Sequence, residues 1–267
     1  MDARPLGIWD SGLGGLTVVR AVAERLPAER LVYFGDTARV PYGTKGAETV
    51  RRFARQNSRF LMEKDIKALV VACNTASALA LDALAAELPV PVLGVIEPGA
   101  EAAAAATRSG IVGVIGTPAT VSSGAYAAAL RARRGGLSVE SQACPLFVPL
   151  VEEGWLEHPA TRLVAEEYLA PLRDAGVDTL VLGCTHYPLL APLLGAVMGE
   201  GVRLVDSAAE TARALAALLA ERGLLAPEDG PGALDCFVSD LPLRFRQVGE
   251  LFLGRRIGSL QLVDFGS

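Results

Sequence analysis

The chain has 267 residues, enough for one large α/β domain or for two domains of roughly 100 to 150 residues. Although 51% of its residues are apolar, charged residues or proline interrupt every apolar run before it reaches the about 18 residues that a membrane span requires. A net charge of −5 provides no positive surface for nucleic acid. We therefore expect neither a membrane nor a nucleic acid as partner.

The residues from Met1 to Pro5 lead directly into a strand pattern, without the features of a signal peptide. This start predicts a cytoplasmic protein. Cysteines stay reduced in that compartment, so we expect four free thiols rather than a disulfide framework.

Strand and helix patterns alternate along the first part of the chain, which is typical of α/β proteins. In order, the predicted elements are a strand at 6–9, a helix at 16–26, a strand at 31–35, a helix at 48–64, a strand that ends at Cys73, a helix at 76–88 and a strand at 90–96.

The same alternation continues in the second part. The predicted elements are a helix at 100–107, a strand at 110–116, a helix from about 121, an extended segment at 144–149, a helix at 163–172, a strand that ends at Cys184, a strand at 204–206 and a helix at 208–222. Residues 226–232 are the best candidate for a linker. A strand at 236–238 and a helix at 241–253 are expected to pack back on the first part.

Two similar halves emerge from this order. Asp10 to Cys73 and Thr117 to Cys184 span nearly equal lengths, each from a polar turn after an opening strand to a cysteine after a later strand. We predict two similar α/β domains with mostly parallel sheets, related by an approximate two-fold axis, with the active site in the cleft between them. Residues 1–97 plus 208–267 form the first predicted domain, and residues 98–207 form the second.

Polar side chains gather where the predicted strands end, which is where parallel α/β sheets bind ligands. A cysteine just before a helix also meets the positive end of the helix dipole, so we expect its pKa to be lowered. The residues at these ends are Asp10, Ser11, Cys73, Asn74, Thr75, Thr117, Cys184, Thr185 and His186.

Each of these residues also has an ordinary structural interpretation. A single cysteine after an apolar strand is usually a small buried hydrophobe, Asp10 could cap a helix, and His186 could be structural. Two cysteines in matched positions make the structural interpretation weaker. Cys144 and Cys236 lack this context, and we interpret both as structural.

Other chemistries fit less well. The glycine turn 12–15 resembles a dinucleotide-binding loop, but Thr17 stands where that pattern requires Gly or Ala, and no P-loop lysine motif is present. Zinc could use Cys73, Cys184 and His186, yet no metal-ligand spacing supports it. A Cys-His-Asp hydrolase would leave the second cysteine unexplained. We therefore expect no metal and no cofactor.

Two thiols facing one small substrate suit the inversion of a carbon acid. One thiolate removes the proton from one face, and the opposite thiol donates a proton to the other face. The paired cysteines thus favour racemisation or epimerisation at an activated α-carbon.

Several motifs together resemble bacterial glutamate racemases: residues 10–15 (DSGLGG), 41–43 (PYG), 72–76 (ACNTA), 116–117 (GT) and 183–188 (GCTHYP). The resemblance covers essentially the whole chain. It implies a cofactor-independent cytoplasmic isomerase with two α/β domains that supplies D-glutamate for peptidoglycan, and hence for cell wall biogenesis and cell shape. It also implies a homodimer.

The resemblance assigns a role to each matching position. Cys73 takes the proton from D-glutamate and Cys184 takes it from L-glutamate, while Asp10, His186 and Glu152 assist them. The implied substrate-binding residues are Asp10, Ser11, Tyr42, Gly43, Asn74, Thr75, Thr117, Thr185 and His186.

Two alternatives remain open. The same pair of thiols could racemise aspartate or a hydantoin. A two-lobed protein of this kind could also bind an amino acid without catalysis.

Overall fold

The computed structural model describes residues 1–227 and 230–264. Two sheets organise these residues, and every strand pair in both sheets is parallel. The first sheet has the order β10-β9-β2-β1-β3-β4 and the second has the order β6-β5-β7-β8. The strands are β1 (Leu6–Asp10), β2 (Leu31–Gly35), β3 (Ala68–Val71), β4 (Val92–Gly94), β5 (Ile111–Gly116), β6 (Ser138–Ala143), β7 (Thr179–Gly183), β8 (Arg203–Asp206), β9 (Leu234–Val238) and β10 (Ser259–Leu262).

Helices alternate with these strands, which confirms the predicted α/β class. They are α1 (Leu16–Arg25), α2 (Ala47–Met62), α3 (Asn74–Glu87), α4 (Ile96–Ala106), α5 (Pro118–Ser122), α6 (Ala125–Arg133), α7 (Phe147–Glu152), α8 (Pro159–Asp174), α9 (Ala191–Met198), α10 (Ser207–Glu221) and α11 (Pro242–Leu253). Short 3-10 turns cover Thr37–Arg39, Tyr42–Thr44 and Tyr187–Leu190.

The central strands are buried along their whole length. Every residue of β1, β2, β3 and β7 is buried, because helices cover both faces of a parallel sheet. This explains why these strands have continuous apolar sequences rather than alternating ones. The strand β6 lies at the edge of its sheet and is only partly buried, and its sequence SVESQA is correspondingly polar.

Two helices connect the sheets. The chain leaves the first sheet after β4 through α4 and enters the second at β5. It returns after β8 through α10, which packs against both α1 and α4, and then adds β9 beside β2. The final elements therefore pack on the first sheet, as predicted. The exact domain boundaries, 1–97 plus 208–267 and 98–207, remain a prediction.

The structure corrects one predicted element. Residues 144–149 were expected to be extended, but Phe147–Glu152 forms helix α7. Pro149 is the third residue of that helix, where its missing N–H has no intrahelical acceptor to lose. The edge strands β6 and β10 and the helix α9 were not predicted.

The predicted linker at 226–232 is described only in part, because Glu228 and Asp229 lie outside the described residues. Within the two described ranges, no helix is long and apolar enough to cross a membrane.

Candidate active site

One cavity of about 160 Å³ lies where the carboxyl ends of the two sheets meet. It is lined by residues that follow β1 and β3 of the first sheet and β5 and β7 of the second. All of the predicted site residues except Asp10 line it: Ser11, Tyr42, Gly43, Cys73, Asn74, Thr75, Thr117, Glu152, Cys184, Thr185 and His186. The strand-end rule thus selected residues that the structure brings together, while Tyr42, Gly43 and Glu152 were predicted from the family resemblance alone.

Cys73 occupies the N-cap position of α3, directly after β3. Its Sγ lies 3.6 Å from Ser11 Oγ. Burial raises the pKa of the Cys73 thiol to about 12, and the nearby Asp10 carboxylate adds to this rise. The N–H of Ala76 and the Ser11 hydroxyl act in the opposite direction but are outweighed. The expected lowering of this pKa by the helix was therefore wrong. The rise in pKa caused by burial of the thiol is larger than the lowering caused by the start of the helix.

Asp10 ends β1 and is buried just behind the cavity wall. Its Oδ2 accepts a hydrogen bond from Gly12 N at 3.1 Å, whereas its Oδ1 has no hydrogen-bond partner. Burial raises the pKa of Asp10, and the positive charge of His186 opposes that rise. The carboxylate is not a helix cap, because α1 begins at Leu16 after an N-cap at Gly15.

Cys184 has different surroundings, although it also follows a central strand. A 3-10 turn rather than an α-helix comes after it, and its Sγ lies 3.9 Å from His186 Nδ1. The other ring nitrogen, His186 Nε2, lies 3.0 Å from Glu152 Oε1. Burial alone would lower the pKa of His186, but its hydrogen bonds to Cys184 and Glu152 raise it to about 10. At neutral pH a cation therefore stands beside Cys184.

A group of hydroxyls joins the two sides of the cavity. Thr75 Oγ1, at the start of α3, lies 2.9 Å from Thr117 Oγ1, at the N-cap of α5. Thr120 Oγ1 completes the group at 3.2 Å from Thr75 Oγ1 and 3.0 Å from Thr117 Oγ1. Beside them, Asn74 Oδ1 accepts a hydrogen bond from Tyr126 at 2.7 Å, while Asn74 Nδ2 has no partner. That buried amide donor is available to a ligand.

The segment that carries Tyr42 and Gly43 approaches the second sheet closely. A Cβ atom on Gly43 would lie 2.7 Å from Thr117 Cβ, so only glycine fits there without displacement. The Tyr42 hydroxyl is engaged by Asp36, and Asn57 Nδ2 donates to it at 3.1 Å. Tyr42 lines the cavity, but its hydroxyl is already occupied by these two partners.

Sequence reasoning missed several residues of this site. Asp36 is fully buried directly after β2 and also accepts hydrogen bonds from Arg39 and from Ser239. The rule that selected Asp10 at a strand end could have found it. The other lining residues outside the predicted set are mostly apolar, and all but Gly12 and Pro41 lay outside the recognised motifs: Gly12, Val40, Pro41, Thr44, Pro118, Pro145, Val148 and Pro149.

The arrangement places two thiols in one small cavity, each near a different ionisable group: Asp10 lies near Cys73, and His186 lies beside Cys184. It is suited to proton transfer at a carbon atom by groups that can alternate between acid and base. Across the part of the chain that the structure describes, no group of three or more His, Cys, Asp or Glu side chains is placed to hold a metal ion.

Comparisons with known proteins agree with this geometry. A family model described as Asp/Glu/Hydantoin racemase matches residues 14–215. The glutamate racemase of Geobacter metallireducens is 56% identical over 264 residues, covering 99% of this chain and 98% of that protein.

Two solved structures are similar over nearly their whole length. Glutamate racemase isoform RacE1 from Bacillus anthracis has a TM-score of 0.95 at 40% identity, with 99% of both chains covered. Glutamate racemase from Francisella tularensis, solved in complex with D-glutamate, has a TM-score of 0.92 at 40% identity, with 99% of this chain and 98% of that chain covered.

Proposed function

This chain belongs to the Asp/Glu/Hydantoin racemase family and is an isomerase of the glutamate racemase type, and from that premise we propose that it interconverts L-glutamate and D-glutamate with Cys73 and Cys184 as its two bases. The observation that carries this proposal is the placement of the thiols. They follow central strands of separate sheets, yet they line the same cavity of about 160 Å³.

The reaction conserves protons without any cofactor. In the L-to-D direction the Cys184 thiolate removes the Cα proton, and the bond electrons remain on the substrate as a carbanion. The Cys73 thiol then donates its proton to the opposite face of that carbon. The cycle ends with a Cys184 thiol and a Cys73 thiolate, which is the form required for the reverse direction.

The surroundings of Cys73 favour one of these two forms. Burial and the Asp10 carboxylate oppose negative charge on Cys73, whose pKa is raised to about 12. The positively charged His186 ring has its Nδ1 3.9 Å from Cys184 Sγ, whereas no positive side chain contacts Cys73 among the hydrogen bonds described above. This combination corresponds to the form that acts on L-glutamate.

Substrate binding is assigned to the polar groups around the thiols. The free donor of Asn74 Nδ2 and the hydroxyls of Thr75 and Thr117 can hold the substrate carboxylates. Ser11 and Thr185, which line the cavity beside the two thiols, complete the set together with the Tyr42–Gly43 wall. Fixing both ends of the substrate aligns its Cα between the two sulfurs.

The cellular setting follows from this activity. We assign the protein to the cytoplasm as a cofactor-independent homodimer that supplies D-glutamate for peptidoglycan.

Exchange of the Cα hydrogen in heavy water tests the mechanism. The parent protein is expected to introduce solvent deuterium at Cα while it racemises either enantiomer. Cys73→Ser and Cys184→Ser should each abolish racemisation, because one face of the substrate loses its base. Cys144→Ser is the matched control, since Cys144 is also buried but does not line the cavity.

Four outcomes would overturn parts of the proposal. Absence of exchange in the parent would exclude the activity, and racemisation at near-parental rate in either variant would exclude the two-base mechanism. Faster turnover of aspartate than of glutamate would assign the protein to another substrate of its family. Glutamate binding without exchange would identify an amino-acid-binding protein instead.

A further inference from the structure

Thr17 belongs to helix α1, which follows β1 of the first sheet, and its side chain contacts the loop that carries Cys184. It lies in the first turn of α1 and is buried. Its Oγ1 lies 2.9 Å from the carbonyl oxygen of Gly14 and 3.1 Å from the carbonyl oxygen of Thr185. A threonine hydroxyl has one proton, so it can donate to only one of these carbonyls at a time. The bond to Gly14 is local, whereas the bond to Thr185 spans the cleft.

The Thr185 carbonyl belongs to the peptide group that continues into His186. Holding this oxygen therefore fixes the plane of that peptide and, with it, the starting point of the His186 side chain. His186 Nδ1 is the atom that faces Cys184 Sγ at 3.9 Å.

The glycine turn after Asp10 supports the same loop sterically. A Cβ atom on Gly14 would overlap Thr185 Oγ1 and would lie 2.5 Å from His186 Nδ1. A Cβ atom on Gly15, the next residue, would overlap Asp10 Cβ. The Gly14–Gly15 backbone is thus packed between the side chains of His186 and Asp10. Thr17 contacts the peptide group that leads into His186.

We propose that Thr17 is a positioning residue for the Cys184 half of the reaction, acting through the Thr185–His186 peptide. This inference rests on the proposed two-base racemisation. It also gives a function to the residue that separates the turn at 12–15 from a dinucleotide-binding loop.

The experiment must separate the two proton transfers, and overall rates cannot do so. The enantiomers have equal free energies, so any variant must have the same kcat/KM in both directions. Primary isotope effects on kcat/KM do distinguish the steps. Glutamate deuterated at Cα reports on Cys184 when it is the L-enantiomer and on Cys73 when it is the D-enantiomer.

Thr17→Val removes the hydroxyl while nearly preserving the shape of the side chain. We expect kcat/KM to fall by roughly threefold to tenfold, which corresponds to the loss of one net hydrogen bond. The isotope effect should rise with deuterated L-glutamate and fall with deuterated D-glutamate. Thr17→Ser should restore the parental values, because it restores the donor.

Thr211→Val is the matched control. Thr211 is also buried in a helix, and its Oγ1 donates to the Ser207 carbonyl at 2.6 Å, away from the cavity. This variant should lose some stability but leave both isotope effects unchanged. If Thr17→Val does not fold, Thr17→Ala removes the same donor without adding a methyl group against the two carbonyls.

Unchanged isotope effects in a folded Thr17 variant would overturn the positioning function while leaving the racemase proposal intact. The same conclusion would follow if Thr211→Val changed the isotope effects equally. Failure of the proposed function is distinguishable, because it would appear as absent racemisation in the parent protein.

Discussion

His186 Nε2 and Glu152 Oε1 lie 3.0 Å apart, so the residue beside Cys184 is paired with the carboxylate at the end of helix α7. His186 is buried, whereas the Glu152 side chain keeps contact with solvent, with 28% of its surface exposed. The pair therefore places a positive charge next to a thiol in the cavity wall.

Glu152→Gln should shift the pH dependence of racemisation. Glu152 helps raise the pKa of His186 to about 10, so the cation persists below that pH and is lost above it. Without the carboxylate the cation is lost at lower pH. We expect the alkaline limb of kcat/KM to move down by about one to three pH units. Glu153→Gln is the control, since Glu153 pairs with Arg244 on the surface. If the alkaline limb of kcat/KM stays at the parental pH in Glu152→Gln, Glu152 does not have this function.

Asp10 and His186 are expected to assist different halves of the reaction. Asp10 acts on the charge of Cys73, whereas His186 contacts Cys184. Asp10→Asn should increase the isotope effect seen with deuterated D-glutamate, and His186→Asn should increase that seen with deuterated L-glutamate. Each change should lower kcat/KM by about 10²-fold or more. Identical isotope patterns in the two variants would show that the assistants are not divided between the thiols.

Gly14→Ala should damage activity more than stability. The added methyl group would overlap Thr185 and press on His186, displacing groups that must be aligned to within fractions of an ångström. We expect kcat/KM to fall by roughly 10²-fold. Gly46→Ala is the control, because nothing lies within 4 Å of a Cβ atom at that position. Near-parental kinetics of Gly14→Ala would mean that the loop relaxes without consequence.

The folded protein should lose stability in alkaline solution. Burial raises the pKa of Cys236 to about 12, from 9.0 for an ordinary thiol. As the pH rises, the Cys236 thiol therefore loses its proton in the unfolded chain before it does so in the folded protein. Between pH 9.0 and about pH 12 the free energy of unfolding therefore falls. One such thiol contributes at most about 1.4 kcal/mol per pH unit. Urea denaturation at pH 8 and pH 10.5 measures the decline.

Cys236→Ala should make that decline shallower, because one of the titrating thiols is gone. The difference between the variant and the parent at pH 7 and pH 8 serves as the reference. At those pH values the Cys236 thiol is protonated in both the folded and the unfolded chain, so the difference reflects only the packing that the substitution removes. An equally steep decline in the variant would exclude Cys236 as a source of the alkaline instability.

The sequence was sufficient to predict the alternating elements and the strand ends, because both depend on local patterns. Apolar runs such as β3 and β7 mark strands that helices cover on both sides, and the topology then brings their carboxyl ends together. The helix α7 was not predictable in the same way, because Pro145 and Pro149 also fit an extended segment.

The properties that depend on tertiary packing could not be predicted. The pKa of Cys73 reflects its depth and the nearby Asp10 charge, neither of which is a local pattern. The contact from Thr17 to Thr185 joins residues 168 positions apart. Nothing near either residue in the sequence indicates the other.

The pairing of β2 with β9 places Leu31 beside Leu234. Strands β5 to β8 lie in one continuous part of the chain, whereas the edge of β2 that β9 covers can be paired only after the C-terminal part has been synthesised. The helix that follows β9 brings the Phe252 ring to 5.1 Å from the His186 ring. The histidine beside Cys184 thus packs against a ring from a late-translated segment. Such late closure of distant contacts slows folding and leaves an exposed strand edge that can aggregate.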